Sequence, residues 1–248
     1  MLVLVTDFGL AGPYTGQMKA VLHQEAPGVP QVDLFADAPA FDPRSTSYLL
    51  PAYAGFFPLD SVFLVVVDPG VGTDRDAVVL RADGRWFVGP DNGVLAMLAR
   101  RSRAAHWWRI VRRPRGLSNT FHGRDLFAPV AARLTRGDTE ELVDIEAPAI
   151  TGEEWPDDRS AICYVDHYGN LLTGMRAGRV SADARLEVGG RLVEPARTFG
   201  EVAPGEAFWY ENSNGLVEIA VNQGRADEVL GIGTGDGVGV VAGESGLS

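Results

Sequence analysis

A chain of 248 residues, 46% of them hydrophobic, can bury one large or two modest cores, and its single cysteine, Cys163, excludes an internal disulfide or a multi-cysteine metal site. The formal charge of −11 is mostly local, because nine of the 33 acidic residues fall between Gly137 and Asp158, where there is no basic residue, and the other 24 nearly balance the 22 bases. A nucleic-acid partner would need a basic stripe and a membrane span an apolar run of roughly 18 residues; neither is visible, MLVLVTDFGL does not read as a secretory signal, and the expectation is a soluble cytoplasmic protein.

In chain order, Leu2 to Thr6 is a short apolar strand, Tyr14 to Gln24 has helical spacing through Met18, Val21 and Leu22, and Val32 to Phe35 is a second strand. FDPRSTSYLL announces a helix, with Asp42 placed to cap it and Pro43 at its first position. The β-branched run Val62 to Val67 suits a strand covered on both faces. AVVLRADGRWFVG reads as a hairpin turning at Asp83-Gly84, and NGVLAMLARR and RDLFAPVAARLTR supply two further helices, while WWRIVRRPR at 107 to 115 reads as a solvated strand edge. These elements predict an α/β domain with a largely parallel sheet over residues 1–154. The acidic stretch 138–158 reads as a linker. Beyond it AICYVD, ARLEVGGRLV, AFWYEN, LVEIAVN and VGVV are short strands without a helix, predicting a smaller all-β, barrel-like domain over 155–248. GIGTGDGVGV has a dinucleotide-fingerprint look, but no helix can follow it, so it reads as tight turns.

Three apolar runs end on an aspartate: LVLVTDFG at Asp7, VFLVVVDPG at Asp68 and RWFVGPDNG at Asp91. Each alone is a turn former; together, at the carboxyl edge of an α/β sheet where ligands bind, they suit either a divalent metal or ribose hydroxyls and a reacting water. SNTFHGRDLFAPVAA places His122 and Gly123 before a helix that Asp125 could cap. With Asp68 and Arg75 in one cleft, His122 would complete a set able to orient a water and favour its hydroxide-like form. YVDHYGNLLTG offers Asp166, Tyr168 and Asn170, and YENSNGLVEIAVNQG offers Asn212, Ser213, Asn214 and Asn222; these suit a small polar ligand, or turns. Lys19, the sole lysine, is the one candidate for Schiff-base chemistry, and no P-loop exists.

TDFG, YTGQMKAVL, VVVDPGVGTDR, GPDNGVL, NTFHGRDLFAPVAA, DHYGNLLT and NSNGLVEIAVN, in this order, resemble the S-adenosylmethionine (SAM) hydroxide adenosyltransferases, SAM hydrolases related to the bacterial fluorinase and chlorinase. The resemblance implies an α/β domain and a β-barrel domain, a homotrimer with active sites between the α/β domain of one subunit and the barrel of its neighbour, and hydrolysis of SAM to adenosine and L-methionine. It implies no metal and no cofactor, SAM being the substrate. Asp7 corresponds to the ligand of the ribose hydroxyls and Phe41 to an aromatic near the sugar, with Asp68, Arg75 and His122 as the water-positioning triad. Asp166 and Asn170 resemble the methionine amino-group ligand and its adjacent wall, Tyr168 and Phe199 the aromatics sandwiching adenine, and Ser213 a contact to the methionine carboxylate. Gly174 stands where the family has asparagine, Asn214 where the halogenating relatives have arginine, and the stretch before Phe41 lacks the usual histidine. The alternatives are a SAM-dependent halogenase, whose relatives carry tyrosine at the position of Asp68, a non-catalytic SAM or adenosine binder, and a metal-dependent phosphohydrolase using Asp7, Asp68 and Asp91.

Overall fold

Strand β1 (Leu2–Thr6) and strand β3 (Val62–Val66) are buried at every position, as their unbroken apolar runs require of strands covered on both faces. They belong to the first of two units, Met1–Trp155 and Pro156–Ser248, in a computed structural model that describes residues 1–111 and 114–242. Arg112 and Arg113, in the basic stretch 107–115, lie outside the described residues. Between these strands run α1 (Tyr14–Glu25), β2 (Gln31–Phe35) and α2 (Pro43–Ala54). Asp42 caps α2 by accepting the Ser45 amide at 2.8 Å, with Pro43 at the first helical position. The unit continues with β4 (Ala77–Ala82), β5 (Arg85–Pro90), α3 (Ala96–Arg101), β6 (Ala105–Ile110), a π-helical turn (Gly123–Phe127), α4 (Ala128–Leu134) and β7 (Leu142–Ile145). One core joins Leu2, Leu4 and Leu64 of the sheet to Met18 and Leu22 of α1 and Ala131 of α4.

The seven-stranded sheet has the order β2-β1-β3-β5-β4-β6-β7. Neighbours among β2, β1, β3 and β5 are parallel, but β4, β6 and β7 are added antiparallel, so the sheet is mixed rather than largely parallel. The reason is the hairpin. Asp83 (φ 45°) and Gly84 (φ 79°) both take positive φ, as a two-residue type I′ turn demands, and such a connection can only join antiparallel strands. The expected solvated edge is also revised, because β6 lies between β4 and β7. β7 itself falls in the acidic stretch read as a linker, and the chain after it remains part of the first unit.

The second unit contains β8 (Arg159–Val165), β9 (Leu171–Arg176), β10 (Arg185–Val188), β11 (Arg191–Pro195), β12 (Ala207–Glu211), β13 (Leu216–Val221), α5 (Ala226–Leu230) and β14 (Gly239–Val241). Its sheet runs β14-β10-β11-β12-β13-β9-β8. It is mixed, since β11 and β12 are parallel. Hydrogen bonds Ile162 N to Asp236 O (2.8 Å) and Val238 N to Ser160 O (2.9 Å) tie β8 to the segment entering β14, linking the two ends of that order. Helix α5 corrects the expectation of a unit without helix; five residues are too few to show a helical period. Gly174 lies in β9, where an added Cβ would sit 2.6 Å from Arg159 Cβ and 3.1 Å from Cys163 Sγ, which leaves no room for the asparagine that the family resemblance suggests. No helix among the described residues is long and apolar enough to cross a membrane.

Candidate active site

The end of β3 delivers Asp68 to the carboxyl edge of the parallel strands, the edge on which open α/β sheets bind ligands. The chain then folds back through two turns, Val71 N donating to Asp68 O (3.2 Å) and Thr73 N to Gly70 O (3.2 Å), and returns as Arg75. Arg75 Nε donates to Asp68 Oδ1 at 2.7 Å and Nη2 to Oδ2, a bidentate pair whose side chains are only 9% and 5% exposed. Nη2 also reaches His122 Nδ1 at 3.1 Å, Nη1 donates to Asp76 O at 3.1 Å, and the guanidinium lies 5.3 Å from the Phe127 ring centroid. A guanidinium has no acceptor. In this contact Arg75 Nη2 is therefore the donor and His122 Nδ1 the acceptor.

Buried His122 precedes the π-helical turn, a helical distortion often found at functional sites. Asp125 does not cap a helix. Its carboxylate accepts the Ser118 amide at 3.0 Å and is gripped by Arg124 Nε (2.6 Å) and Nη2 (2.9 Å), fixing the segment that leads to His122. The Arg124 guanidinium pushes the Asp125 carboxyl below its usual range.

Asp7 follows β1 and accepts the Phe41 amide at 3.0 Å. Phe41 has φ 59°, a left-handed conformation uncommon for a residue with a Cβ, and its ring is 78% exposed. Asp7, Asp68 and His122 face one cavity of about 350 Å³, with Tyr14, Phe41 and Phe121 among its aromatic walls. Arg75 stands behind its two partners rather than on the cavity wall. Burial pushes the Asp7 carboxyl above the usual carboxylate range; the Phe41 amide opposes this and the negative charge of Asp68 adds to it. A carboxyl raised in the folded state contributes stability that is present below its unfolded pKa and lost as the pH rises through its folded pKa. Asp7→Asn is therefore expected to gain in melting temperature relative to wild type as the pH rises from about 3 to about 7. A difference that stays constant across that range would contradict the raised Asp7.

Asp91 does not join Asp7 and Asp68. It is 6% exposed and accepts the amides of Ala149 (2.8 Å) and Ile150 (3.1 Å). Among the described residues no group of three or more His, Cys, Asp or Glu is placed to hold a metal ion. Lys19 is paired with Asp33 at 2.5 Å.

In the second unit Asp166 and Asn170 come together. Asp166 Oδ1 accepts the amides of Tyr168 (2.8 Å) and Asn170 (2.9 Å), and Oδ2 accepts Asn170 Nδ2 (3.1 Å), so this carboxylate builds its own loop and leaves Tyr168 73% exposed. Tyr168 and Phe199 have different ring partners, His167 for the first and Phe208 and Tyr210 for the second. Ser213 lines a separate groove of about 650 Å³ with Trp209, Tyr210 and Asn212.

Sequence reasoning missed several supports. Glu218, 6% exposed, accepts from Tyr210 Oη (2.5 Å) and Asn212 Nδ2 (2.9 Å), and Asn212 in turn accepts the Asn214 amide (2.9 Å) of the turn that carries Ser213. Arg225 donates to His167 O (2.8 Å) and to Asp227 (2.8 Å), whose amide donates to Gly169 O (3.1 Å), so the loop 166–170 is held from α5. A lone glutamate in the apolar run LVEIAV was the one visible signal for the first; the second depends on contacts far apart in the chain.

A family model described as SAM hydroxide adenosyltransferase N-terminal domain matches residues 2–144, and one described as its C-terminal domain matches residues 160–239. The (R)-S-adenosyl-L-methionine hydrolase of Thermus thermophilus is 42% identical, over 93% of this chain and 95% of the relative. That of Salinispora tropica is 36% identical over 96% of both. A crystal structure of a conserved protein from Thermotoga maritima superposes with a TM-score of 0.86 at 33% identity, covering 98% of this chain and 100% of the other.

Proposed function

The chain belongs to the SAM hydroxide adenosyltransferase family, and on that premise we propose that it hydrolyses S-adenosyl-L-methionine to adenosine and L-methionine. The observation that supports this most is the Asp68–Arg75–His122 cluster, whose carboxylate and imidazole face the cavity that also holds Asp7. Water attacks C5′ opposite sulfur; its oxygen forms the new C–O bond while the C5′–S bond breaks with its electron pair on sulfur, and one proton is released. Methionine leaves as a neutral thioether, so no acid is needed, and the demand is for an aligned water.

The hydrogen bonds divide the labour. His122, with its Nδ1 lone pair engaged by Arg75, acts as a donor through Nε2 rather than as an acceptor. Asp68 keeps carboxylate lone pairs beyond those used by Arg75 and takes the proton. Arg75 fixes both and holds positive charge behind them. Asp7 binds the ribose hydroxyls, with Phe41 against the sugar. Asp166 and Asn170 take the methionine amino end, Ser213 its carboxylate, and Tyr168 and Phe199 the adenine. The family resemblance supports supply of these last residues by a neighbouring subunit of a homotrimer. SAM is the substrate, and no cofactor is invoked. A halide at the water position would face the Asp68 carboxylate, which disfavours the halogenase reading.

Liquid chromatography of SAM incubated with the purified protein tests the proposal. Adenosine and methionine are expected in equal amounts, unchanged by EDTA or by excess chloride. Intact SAM would refute hydrolysis, and 5′-chloro-5′-deoxyadenosine would favour the halogenase.

A further inference from the structure

The motif GPDNG contributes nothing to the cavity wall, yet its two polar residues sit on both ends of the loop that carries Asp68 and Arg75. Asn92 Nδ2 donates to Val67 O at 2.9 Å, at the peptide that enters Asp68, and its orientation is fixed because Oδ1 accepts the Val94 amide at 3.2 Å. At the other end the Asp91 amide donates to Asp76 O at 3.0 Å, the same carbonyl that receives Arg75 Nη1 at 3.1 Å. The loop 68–75 is thus clamped at its entry and its exit by adjacent residues.

The clamp is itself anchored. The buried Asp91 carboxylate holds the amides of Ala149 and Ile150 in the segment after β7. That segment is fastened again by Arg100, which donates to Trp155 O (2.6 Å) and Glu153 O (3.1 Å). The Trp155 ring stacks on Tyr48 with centroids 6.5 Å apart and lies so close to Gly93 that an added Cβ there would be 2.5 Å from it. Gly93 also has φ 86°, so the residue after Asn92 is glycine for two reasons. A carboxylate buried this deeply is costly unless fully hydrogen-bonded, and a turn alone would not need one.

We infer that Asp91 and Asn92 are positioning residues that hold the Asp68–Arg75 pair in register with the reacting water. The inference rests on the hydrolase reading for its catalytic meaning. Neither residue lines the cavity; Asn92 acts through its side chain on Val67 O, and Asp91 through its backbone amide on Asp76 O, with its carboxylate anchoring that amide to Ala149 and Ile150. Loss of the Asn92 donor lets the Asp68 end of the loop shift, and displacement of about 1 Å is enough to lower turnover by about 100-fold.

The test is Asn92→Ala in the full chain, with kinetics and the Arg75 side-chain Nε–H followed by ¹H–¹⁵N NMR. The expected result is a kcat lower by about 10- to 100-fold, in the range seen for supporting hydrogen bonds, with KM within about threefold of wild type and a shifted or broadened Arg75 signal. Should Asn92→Ala fail to fold, Asn92→Asp keeps the acceptor for the Val94 amide but sets a carboxylate oxygen against Val67 O in place of the donor, so kcat and the Arg75 signal are expected to change in the same direction. A folded variant with lowered melting temperature but wild-type kcat, or an unmoved Arg75 signal, would overturn the inference. Wild-type protein that leaves SAM intact, with the Arg75 signal still moving in the variant, would refute the hydrolase reading and support the clamp.

Discussion

Asp68→Ala is expected to lower SAM turnover by about three orders of magnitude, in the range associated with a positioned acid or base, while SAM affinity changes only a few-fold. The asymmetry follows from geometry. Asp7, Phe41 and the other aromatic walls of the cavity lie on elements that do not depend on the Asp68 carboxylate, so the ground state keeps its contacts. The transition state loses the group that receives the proton. The variant also strands Arg75, a 9% exposed cation whose Nε and Nη2 both donate to that carboxylate; an uncompensated buried charge costs roughly 3–5 kcal/mol. Asp68→Asn separates the two effects, since its amide oxygen still accepts one guanidinium N–H but cannot take a proton at neutral pH. Both variants should be slow, and Asn should melt closer to wild type than Ala. Single-turnover product formation with calorimetric SAM binding measures the two quantities. Wild-type turnover in Asp68→Asn would remove Asp68 as proton acceptor.

The local signals that survived into the structure are those whose physics is local. Asp42-Pro43 caps and starts α2 because a carboxylate and a fixed φ suffice there, and Asp83-Gly84 makes its turn because two positive φ values suffice. The mixed sheet is the consequence that went unread, as a tight hairpin in the middle of the chain forces antiparallel neighbours onto a parallel core. β7 was hidden because an acidic, half-exposed strand looks like a linker until β6 supplies its partner. Among the candidate site residues, Asp68, Arg75 and His122 were legible as a motif set, but the division between wall and support was not. That Arg75 sits behind its partners depends on a guanidinium reaching residues seven and 47 positions away. Asp91 shows the same limit from the other side: PDNG looks like Asp7 and Asp68 at the tip of a strand, and only backbone amides 58 and 59 residues later reveal that its carboxylate is already used.

Gly72 carries the second large expectation. Its φ of 83° is strained for any residue with a Cβ, and an added Cβ would stand 2.4 Å from the carbonyl oxygen of Asn119. The backbone strain alone costs on the order of 1–3 kcal/mol, and the clash cannot be relieved by a side-chain rotation because the obstacle is backbone. The loop 68–75 and the segment 118–122 must part, and these are the two pieces whose apposition sets the 3.1 Å contact between Arg75 Nη2 and His122 Nδ1. Gly72→Ala is therefore expected to lower the melting temperature and kcat together, kcat by about 100-fold for a displacement of about 1 Å. Gly70, two residues earlier in the same loop, is the comparison, because its φ is not in the left-handed region and an added Cβ would meet only ordinary contacts, the nearest at 3.5 Å to Thr73 Oγ1. Gly70→Ala should retain most of its activity and stability. Equal behaviour of the two variants in thermal melts and steady-state kinetics would mean that close approach of the two loops at Gly72 does not govern the geometry of the Asp68–Arg75–His122 cluster.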